Sequence, residues 1–506
     1  MDNFLLFPQH GLDDPETINL DPSRKARVHI PPGPPPEQLP SKRLKNFQMV
    51  FTGYDEKQAV VEATRCIHCP ATEPCILGCP LHNDIPKALI AIELGKYDEA
   101  ANVFRLTSNF PEVCGRLCPQ EALCEGSCTV AGYDRAVNIG KLEAFCADAQ
   151  RNQSGFPTPP QVPTTGRRVA VVGSGPSSIA VAEELTNHGH TVVVYEEWPK
   201  PGGLLHYGIP NFKLDKDIVM SKIAHLESLG VKFICNTRVG RDIQVDDLHQ
   251  QYDAIFLGIG APVGHKIKLP GEELTGIYQA TEFLVRGNLP SDDLPESLKG
   301  LPEIDKTVVV VGGGDTSTDC VRTARRLQIQ HGFADGVVVG YYRGTETEMR
   351  AREDDLKHAK EEGTHYEFLA NPIRFIGDAQ GQVRQIEMQR MRSKPAHQPE
   401  QRVPSRLRIP IPGSNFIIPA DIVILAIGYG GDKLIHSKTP ALKTTKPGIF
   451  EVESEATGVA TLGGVYAAGD DVRGPDLIVT AIAAGRKAAQ AMDDYLRAIP
   501  TAVKSN

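Results

Sequence analysis

The sequence has no excess of positive charge and no hydrophobic run long enough to cross a membrane. Lys and Arg total 54 against 63 Asp and Glu, a formal net charge of -9, which gives no indication of a basic surface for nucleic acid or acidic lipid. The longest apolar run, 416–429, contains Pro419 and Asp421 and falls short of the ~20 apolar residues of a transmembrane helix. The N-terminus also lacks the features of a signal peptide, so we expect a cytoplasmic protein.

Cysteine is scarce in the long C-terminal part of the chain, where only Cys235 and Cys320 occur. The other nine of the 11 cysteines lie between positions 66 and 146. In a reducing cytoplasm, such clustering indicates metal ligation or redox chemistry more often than disulfides. The 506 residues are enough for about three domains, and we expect the cysteine-rich segment to be one of them.

Changes in composition divide the chain into segments. The polyproline-like stretch 31–40 follows an acidic tail that is expected to lie on a surface. Together they form an N-terminal arm (1–41) that precedes a domain of helical periodicity (42–153). The proline-rich segment 154–166 marks the next boundary. Beyond it, two βαβ units each begin with a glycine-rich turn. In the first, strands at 169–172 and 191–195 flank a helix at 176–188, and in the second, strands at 306–311 and 336–342 flank a helix at 316–328. The pattern predicts an α/β protein in which a helical domain precedes two Rossmann-like dinucleotide-binding domains.

Two runs of cysteines occupy the helical domain. The first run differs from the ferredoxin pattern for 4Fe–4S clusters only in its middle gap, and it consists of Cys66, Cys69, Cys75 and Cys79, followed by Pro80. The second run consists of Cys114, Cys118, Cys124 and Cys128, with Pro119 after its second member. Zinc sites are the alternative, although they favour paired C-x2-C knuckles, of which only one is present. Cys146, Cys235 and Cys320 are interpreted as small buried side chains.

The first glycine-rich turn has the features of a dinucleotide site. Gly173, Gly175 and Pro176 lie between a predicted strand and a predicted helix, where a pyrophosphate can approach the backbone and the helix N-terminus. Ser178, a small residue, replaces the third glycine of the fingerprint. Glu196 ends the next strand, where a carboxylate can accept both hydroxyls of an adenosine ribose.

The second turn has no acid at the end of its next strand. The residues expected to contact the nucleotide in this turn are Gly312, Gly314, Asp315 and Thr316. Arg343 and Arg350 come after the next strand, and arginine there favours the 2′-phosphate of NADP(H) over NAD(H). The alternative is that both arginines are solvated surface charges.

A third element near the C-terminus is suited to a flavin. Gly469 and Asp470 come after a strand of small residues, and Thr480 lies at the start of a helix. A carboxylate at this point can bind a ribityl hydroxyl, and a helix N-terminus can face the flavin ring. A helix N-cap is the alternative role for Asp470.

Four motifs resemble the small (beta) subunit family of glutamate synthase: GRLCPQEALCEGSC, GGLLHYGIPNF, VVVVGGGDTSTDCVRTARRL and GVYAAGDDVRGPDLIVTAIAAGRKAA. They also resemble the N-terminal half of dihydropyrimidine dehydrogenase and the large subunit of ferredoxin:NADP oxidoreductases. The resemblance covers roughly 42–495. It implies that FAD binds a discontinuous domain (166–280 and 416–496) into which an NAD(P)H-binding domain (281–415) is inserted.

The resemblance further implies crossed ligation of two 4Fe–4S clusters. One cluster would be held by Cys66, Cys69, Cys75 and Cys128, and the other by Cys79, Cys118, Cys124 and the carboxylate of Glu143. Cys114 would then be a spare. Gly203, Leu204 and Val239 are additional FAD contacts that the resemblance implies. Arg343-Gly344 and Arg350 depart from the glutamate synthase pattern of two adjacent arginines and a proline, and are closer to dihydropyrimidine dehydrogenase.

The implied function is an NADPH-dependent FAD and iron–sulfur oxidoreductase. NADPH would give hydride to FAD, and single electrons would pass through the clusters to a partner, most simply the large catalytic subunit of glutamate synthase. No catalytic side chain is expected, because hydride transfer depends on positioning. The alternatives are a ferredoxin:NADP oxidoreductase or bifurcating-complex subunit, and a zinc-stabilised docking scaffold. An enzyme of the thioredoxin reductase type is a further alternative, but its chemistry needs a C-x-x-C motif that the dinucleotide-binding domains lack.

Overall fold

The computed structural model describes residues 23–393, 408–445 and 448–500. Its N-terminal part is helical, as the periodicity predicts. The helices are α1 (Arg24–Arg27), α2 (Pro40–Arg43), α3 (Glu56–Thr64), α4 (Pro74–Gly78), α5 (Ile85–Glu93), α6 (Tyr97–Arg105), α7 (Pro111–Leu117) and α8 (Ile139–Gln153). The carboxylates of Asp55 and Asp84 cap α3 and α5. The core of this domain includes the buried side chains of Leu89, Phe104 and Leu142.

Strands and helices alternate in the remainder of the chain. The first half contains β1 (Arg168–Val172), α9 (Pro176–Asn187), β2 (Thr191–Tyr195), α10 (Leu204–Tyr207), α11 (Lys216–Ser228), β3 (Lys232–Ile234), α12 (Val245–Gln251), β4 (Ala254–Leu257), β5 (Val263–Gly264), β6 (Ile277–Gln279) and α13 (Ala280–Asn288). The second half contains β7 (Thr307–Val311), α14 (Asp315–Gln330), β8 (Val337–Tyr342), α15 (Glu353–Glu361), β9 (His365–Phe368), β10 (Ala370–Gly377), β11 (Val383–Ser393), β12 (Arg408–Pro419), β13 (Ile422–Leu425), β14 (Tyr429–Gly430), α16 (Leu434–Lys438), β15 (Val465–Ala467), α17 (Asp470–Arg473) and α18 (Ile478–Ala498).

The first parallel sheet has the strand order β15-β4-β1-β2-β3. Its central strands are runs of valine and alanine that are buried on both faces, as parallel sheets require. The chain leaves β1 toward β2 on one side, while β4 lies on the other side. This switch point at the carboxyl end of β1 is where doubly wound sheets bind their ligands.

The second parallel sheet, β6-β13-β7-β8-β9, corrects both expected limits of the NAD(P)H-binding domain. Strands β6 and β13 pair within this sheet, yet they lie outside the range 281–415. Strand pairing joins segments far apart in sequence, so composition did not reveal the limits. The chain also forms an unpredicted antiparallel sheet, β10-β11-β12, and a short β14–β5 pair that links the two regions.

The described part of the N-terminal arm is attached to the helical domain by a few buried side chains. Residues 1–22 of the arm lie outside the described residues. In the described part, Arg27 is 1% exposed, and Glu37 forms a bridge with Phe51. Most residues of this described part are exposed or half-buried, and the buried arginine with several partners ties the arm to the helical domain. None of the helices in the described ranges is long and apolar enough to span a bilayer.

Buried ion pairs join the three parts of the molecule. Glu362, directly after α15, accepts hydrogen bonds from Arg43, Arg322 and Arg326. The guanidinium groups of Arg322 and Arg326 lie 4.4 and 4.1 Å from the ring centroid of Phe212, a residue of the loop before α11. This junction sets the position of the second sheet against the helical domain and the first sheet.

Candidate functional site

Four cysteines line one cavity of the helical domain, and we name them the first cysteine group: Cys66, Cys69, Cys75 and Cys128. The loop between α3 and α4 supplies the first two, α4 supplies the third, and the loop before Thr129 supplies the fourth. Burial and the neighbouring thiols of the group raise the pKa of Cys66, and in the same way they raise the pKa of Cys75 to about 12. The four residues of the first predicted ligand set are thus adjacent in the structure.

A second cysteine group is more deeply buried and contains Cys79, Cys118, Cys124, Cys114 and the carboxylate of Glu143. Burial raises the pKa of Cys79 to about 11, and the Glu143 charge adds to that rise. The same carboxylate raises the pKa of Cys118 and of Cys124, after the larger effects of a Cys114 hydrogen bond and of burial, respectively. Glu143 therefore lies near all three thiols of the second predicted ligand set.

These donor sets fit iron–sulfur clusters. All 11 cysteines are free thiols, so no disulfide accounts for the crowding. Buried thiols with raised pKa values resist ionisation when no metal is bound. A bound metal holds them as thiolates, and its binding free energy adds to the stability of the folded domain. Cys146, on α8, is fully buried, in line with its interpretation as a core residue. The assignment of each ligand remains a prediction.

The first glycine turn leaves room for a phosphate. Gly173 has φ +86°, and a Cβ there would lie 2.4 Å from the carbonyl oxygen of Gly258, so only glycine fits. A Cβ on Gly175 meets nothing within 4 Å, and this residue is the N-cap of α9, whose first residue is Pro176. Ser178 donates to the Gly258 carbonyl at 3.3 Å. Ser178 thus takes the place of the third glycine, and its hydrogen bond keeps α9 packed against the end of β4.

Glu196 is fixed at the end of β2. Its carboxylate accepts from the Ser174 hydroxyl at 2.5 Å and from the Trp198 backbone N–H at 2.9 Å. Burial raises the pKa of Glu196 to about 7. The Ser174 hydroxyl in turn accepts from the Gly202 N–H at 2.8 Å. Sequence reasoning missed Ser174, although its place between the two glycines of the turn is the signal that could have found it.

The GGLL segment and the loop after β3 also reach this turn. Gly203 has φ +53°, and its Cβ position lies 2.9 Å from the Gly175 Cα. Leu204, the first residue of α10, is 43% exposed. Val239 is buried, two residues after Thr237, whose N–H donates to the Glu196 carbonyl at 2.9 Å. The structure therefore brings Gly203 to the first turn and the Val239 loop to Glu196.

The C-terminal element meets the same turn from the other side. The Cβ position of Gly469 lies 3.2 Å from the Ser177 Cβ on α9. Gly469 itself is the N-cap of α17, so the structure does not give Asp470 the alternative N-cap role. Burial raises the pKa of Asp470 to about 6. Thr480 lies in the first turn of α18 and donates to the Leu477 carbonyl at 2.7 Å.

The second glycine turn has the same construction. A Cβ on Gly312 would lie 2.3 Å from the Ala426 carbonyl oxygen, whereas a Cβ on Gly314 meets nothing within 4 Å. Gly314 is the N-cap of α14. Asp315 accepts from the Arg352 backbone N–H at 2.9 Å. This carboxylate therefore anchors the loop after β8, and Thr316 comes next to it in the first turn of α14.

The two arginines expected at this turn lie close to it in the chain fold. Arg343 is the first residue after β8, and the Arg350 N–H donates to the Gly313 carbonyl at 2.9 Å. Both side chains are exposed. Among the residues that the structure describes, neither pairs with a carboxylate within 4.0 Å. Their charges are therefore open to a ligand.

Family models match both parts of the chain. Residues 43–155 match "Dihydropyrimidine dehydrogenase domain II, 4Fe-4S cluster", and residues 167–485 match "Pyridine nucleotide-disulphide oxidoreductase". The glutamate synthase (NADPH) small chain of Escherichia coli is 36% identical over 92% of this chain and 96% of its own length. The chain belongs to the glutamate synthase small-chain family. The resemblance and the fold class are confirmed, and the 4Fe–4S match favours iron over the zinc alternative.

Other similar proteins are covered by this chain to different extents. The small chain of Azospirillum brasilense is 36% identical over 93% of this chain and 96% of its own length. The putative oxidoreductase AegA of Escherichia coli is 37% identical over 92% of this chain, which covers 70% of that protein. Mycobacterium tuberculosis FprA in complex with NADPH aligns over 65% of this chain and 84% of its own, with a TM-score of 0.53 and 20% identity. At that identity, FprA supports the fold alone.

Proposed function

We propose that this protein is an NADPH-dependent FAD and iron–sulfur oxidoreductase that serves as the electron-input subunit of a larger assembly. The observation that carries the proposal is the direct packing of the cysteine-rich domain on both nucleotide-binding regions. Asn109 donates to Glu183 and Glu184 of α9 at 2.9 Å each. Arg352, after the second turn, donates to the Arg116 carbonyl at 2.8 Å. One chain thus joins a site for hydride transfer to sites for single electrons.

The residues of this chain bind and orient the groups. The glycine turn at Gly175, with Glu196 and Asp470, would hold FAD, and the turn at Gly314 would hold NADPH beside Arg343 and Arg350. When bound, FAD accepts two electrons as hydride and releases them singly, which is the form that iron–sulfur clusters carry. No side chain is required to move a proton in the hydride step, so the protein acts by positioning.

The ligand assignment is part of the proposal. Glu143 is proposed over Cys114 as the fourth ligand of the second cluster, because the family resemblance implies a carboxylate or amide at this position and because Glu143 lies near Cys79, Cys118 and Cys124, whereas Cys114 lies near Cys79 and Cys118. The proposed ligands of the first cluster are Cys66, Cys69, Cys75 and Cys128, and those of the second are Cys79, Cys118, Cys124 and Glu143. Crossed ligation of this kind ties the two cysteine runs into one unit.

The proposed partner is a large catalytic subunit of the glutamate synthase type, in a reducing cytoplasm. Relatives that this chain covers to 96% of their length carry the name of the small chain. The alternative partner is a ferredoxin-like acceptor. A different acceptor is considered because AegA and UacF, at 37% and 36% identity and covered to 70% of their length, are named only as putative oxidoreductases and not as glutamate synthase chains.

Anaerobic purification tests the cofactor content. We expect one FAD and about eight irons per chain, with matching acid-labile sulfide, and bleaching of the flavin absorption by NADPH. Fewer than about four irons would contradict the proposal of two clusters. Co-purification from the native source then identifies the acceptor. A glutamate synthase large subunit in the complex supports the first partner, and reduction of ferredoxin without such a subunit supports the second.

A further inference from the structure

The described part of the N-terminal arm is held against α3, the helix that precedes the first cysteine group, by several hydrogen bonds. The Arg65 guanidinium donates to the carbonyl of Ile30 at 3.2 Å. The N–H of Gly33 donates to Glu62 at 3.0 Å, and its carbonyl accepts from the Tyr54 hydroxyl at 2.8 Å. The backbone between Ile30 and Gly33 is thereby fixed to α3 and its surroundings.

Arg27 extends from this arm into the loop that carries the first two cysteines. Its guanidinium forms a bidentate pair with Glu93, with N–O distances of 2.8 and 2.9 Å. It also donates to the carbonyls of Thr64 and Cys66 at 3.0 and 2.9 Å, and lies 3.1 Å from the His68 ring nitrogen Nε2. The four contacts of Nη1 share the two hydrogens of that nitrogen, while Nη2 completes the bidentate pair with Glu93, a geometry that only the planar fork of arginine provides.

We infer that Arg27 is a positioning residue for the first cysteine group, and that it favours the reduced form of the cluster held there. The inference rests on the proposed ligand set. Arg27 fixes the backbone at Cys66, because its guanidinium donates to the Cys66 carbonyl at 2.9 Å, and the same guanidinium balances the charge of Glu93 beside that loop. Reduction adds negative charge to a cluster, so an unbalanced Glu93 would oppose it. The arm is therefore part of the electron-transfer site.

The test is a redox titration of the holoprotein monitored by EPR. In Arg27→Met, we expect the midpoint potential of one cluster to move to a more negative value and its EPR line shape to change, while the FAD content stays the same. Arg27→Lys keeps the charge but loses the fork, so a smaller shift is expected. Arg24→Ala removes an exposed arginine of the same helix and should leave both signals unchanged.

Adding Glu93→Gln to Arg27→Met should move the potential back toward the wild-type value, because the unbalanced charge is gone. If Arg27→Met does not assemble its clusters, the midpoint potentials and EPR line shapes of Arg27→Lys and Arg24→Ala are compared instead. Potentials and line shapes that match in those two variants would overturn the inference. A Cys66→Ala variant that keeps all of its iron would instead overturn the proposed ligand set, so the two failures are distinguishable.

Discussion

Among single residues, a carboxylate placed among thiols is the feature that most affects the proposed chemistry. Glu143 is 6% exposed, and its carboxylate accepts a hydrogen bond from Asn83 at 3.5 Å. Burial raises its pKa well above the usual range, and the neighbouring Cys114 adds to the rise. A buried carboxylate without a cationic partner is costly, and an iron atom would supply the compensating positive charge.

Replacement of this carboxylate should therefore remove one cluster. In Glu143→Ala we expect iron to fall from about eight toward about four per chain, with loss or change of one EPR signal and unchanged FAD. The matched control is Cys114→Ala, which should keep the full iron content. The opposite result, iron lost in Cys114→Ala and kept in Glu143→Ala, would exchange the roles of the two residues.

The two exposed arginines after β8, Arg343 and Arg350, are also single residues whose role can be tested. Arg343→Ala together with Arg350→Ala should lower kcat/KM for NADPH at least tenfold, about 1.4 kcal/mol, because the 2′-phosphate loses charge-assisted hydrogen bonds. The value for NADH serves as the internal control and should change little. Steady-state dye reduction with both nucleotides measures this, and an equal loss for both would show that the arginines do not read the 2′-phosphate.

At the scale of elements, the same strand–glycine turn–helix arrangement occurs twice. In both glycine turns, the first glycine packs against a carbonyl of a neighbouring strand end, and a later glycine faces open space at a helix N-terminus. The peptide N–H groups there are suited to an anion. The two turns differ in the residue at the end of the next strand, which is Glu196 after β2 and Arg343 after β8.

Substitution of the two glycines that face open space, Gly175 and Gly314, should affect the two nucleotide sites independently. Gly175→Val places two methyl groups where the pyrophosphate of FAD is proposed to lie, so we expect loss of FAD with iron retained. Gly314→Val should weaken NADPH binding and leave FAD bound. Both residues have negative φ values, so the backbone tolerates the change. Flavin content and NADPH titration are the measurements, and identical effects of the two variants would argue against two sites.

At the scale of the whole molecule, the junction at Glu362 holds three regions together. The carboxylate is fully buried and bonded to Arg43, Arg322 and Arg326. Burial alone would raise its pKa, but the arginine charges outweigh this effect and lower it to about 2. The junction therefore depends on an ionised glutamate, and its loss would leave three arginines without their shared counter-charge.

Glu362→Gln should lower stability by about 3–5 kcal/mol, the usual cost of breaking a buried pair. Because the folded pKa is below the unfolded value, the contribution is complete above about pH 4.5 and is lost as the pH falls toward 2. Thermal unfolding at pH 7 and pH 5 should thus show the same difference from wild type. Glu361→Gln is the control and should cost much less, because this exposed carboxylate pairs with Arg43 alone among the three arginines. A difference that shrinks between pH 7 and pH 5 would contradict the assignment.

Much of the element order could be predicted because it depends on local chemistry. The strand and helix around each glycine turn agree with prediction to within one or two residues: the helix expected at 176–188 is Pro176–Asn187, and the strand expected at 336–342 is Val337–Tyr342. Apolar periodicity and turn glycines act over a few residues and can be read directly. The antiparallel sheet β10-β11-β12 carried no comparable signal and was missed.

The sequence by itself determined the two cysteine runs, the two nucleotide turns and the family, since each consists of residue types at fixed short spacings. Only the tertiary structure decided which residues meet across the chain. Arg27 reaches Cys66 from the arm, β6 and β13 join the second sheet, and Glu362 pairs with Arg43 from 319 positions away. Such contacts arise from long-range packing, in which many alternative partners share the same charge or hydrophobicity, so spacing alone does not select among them.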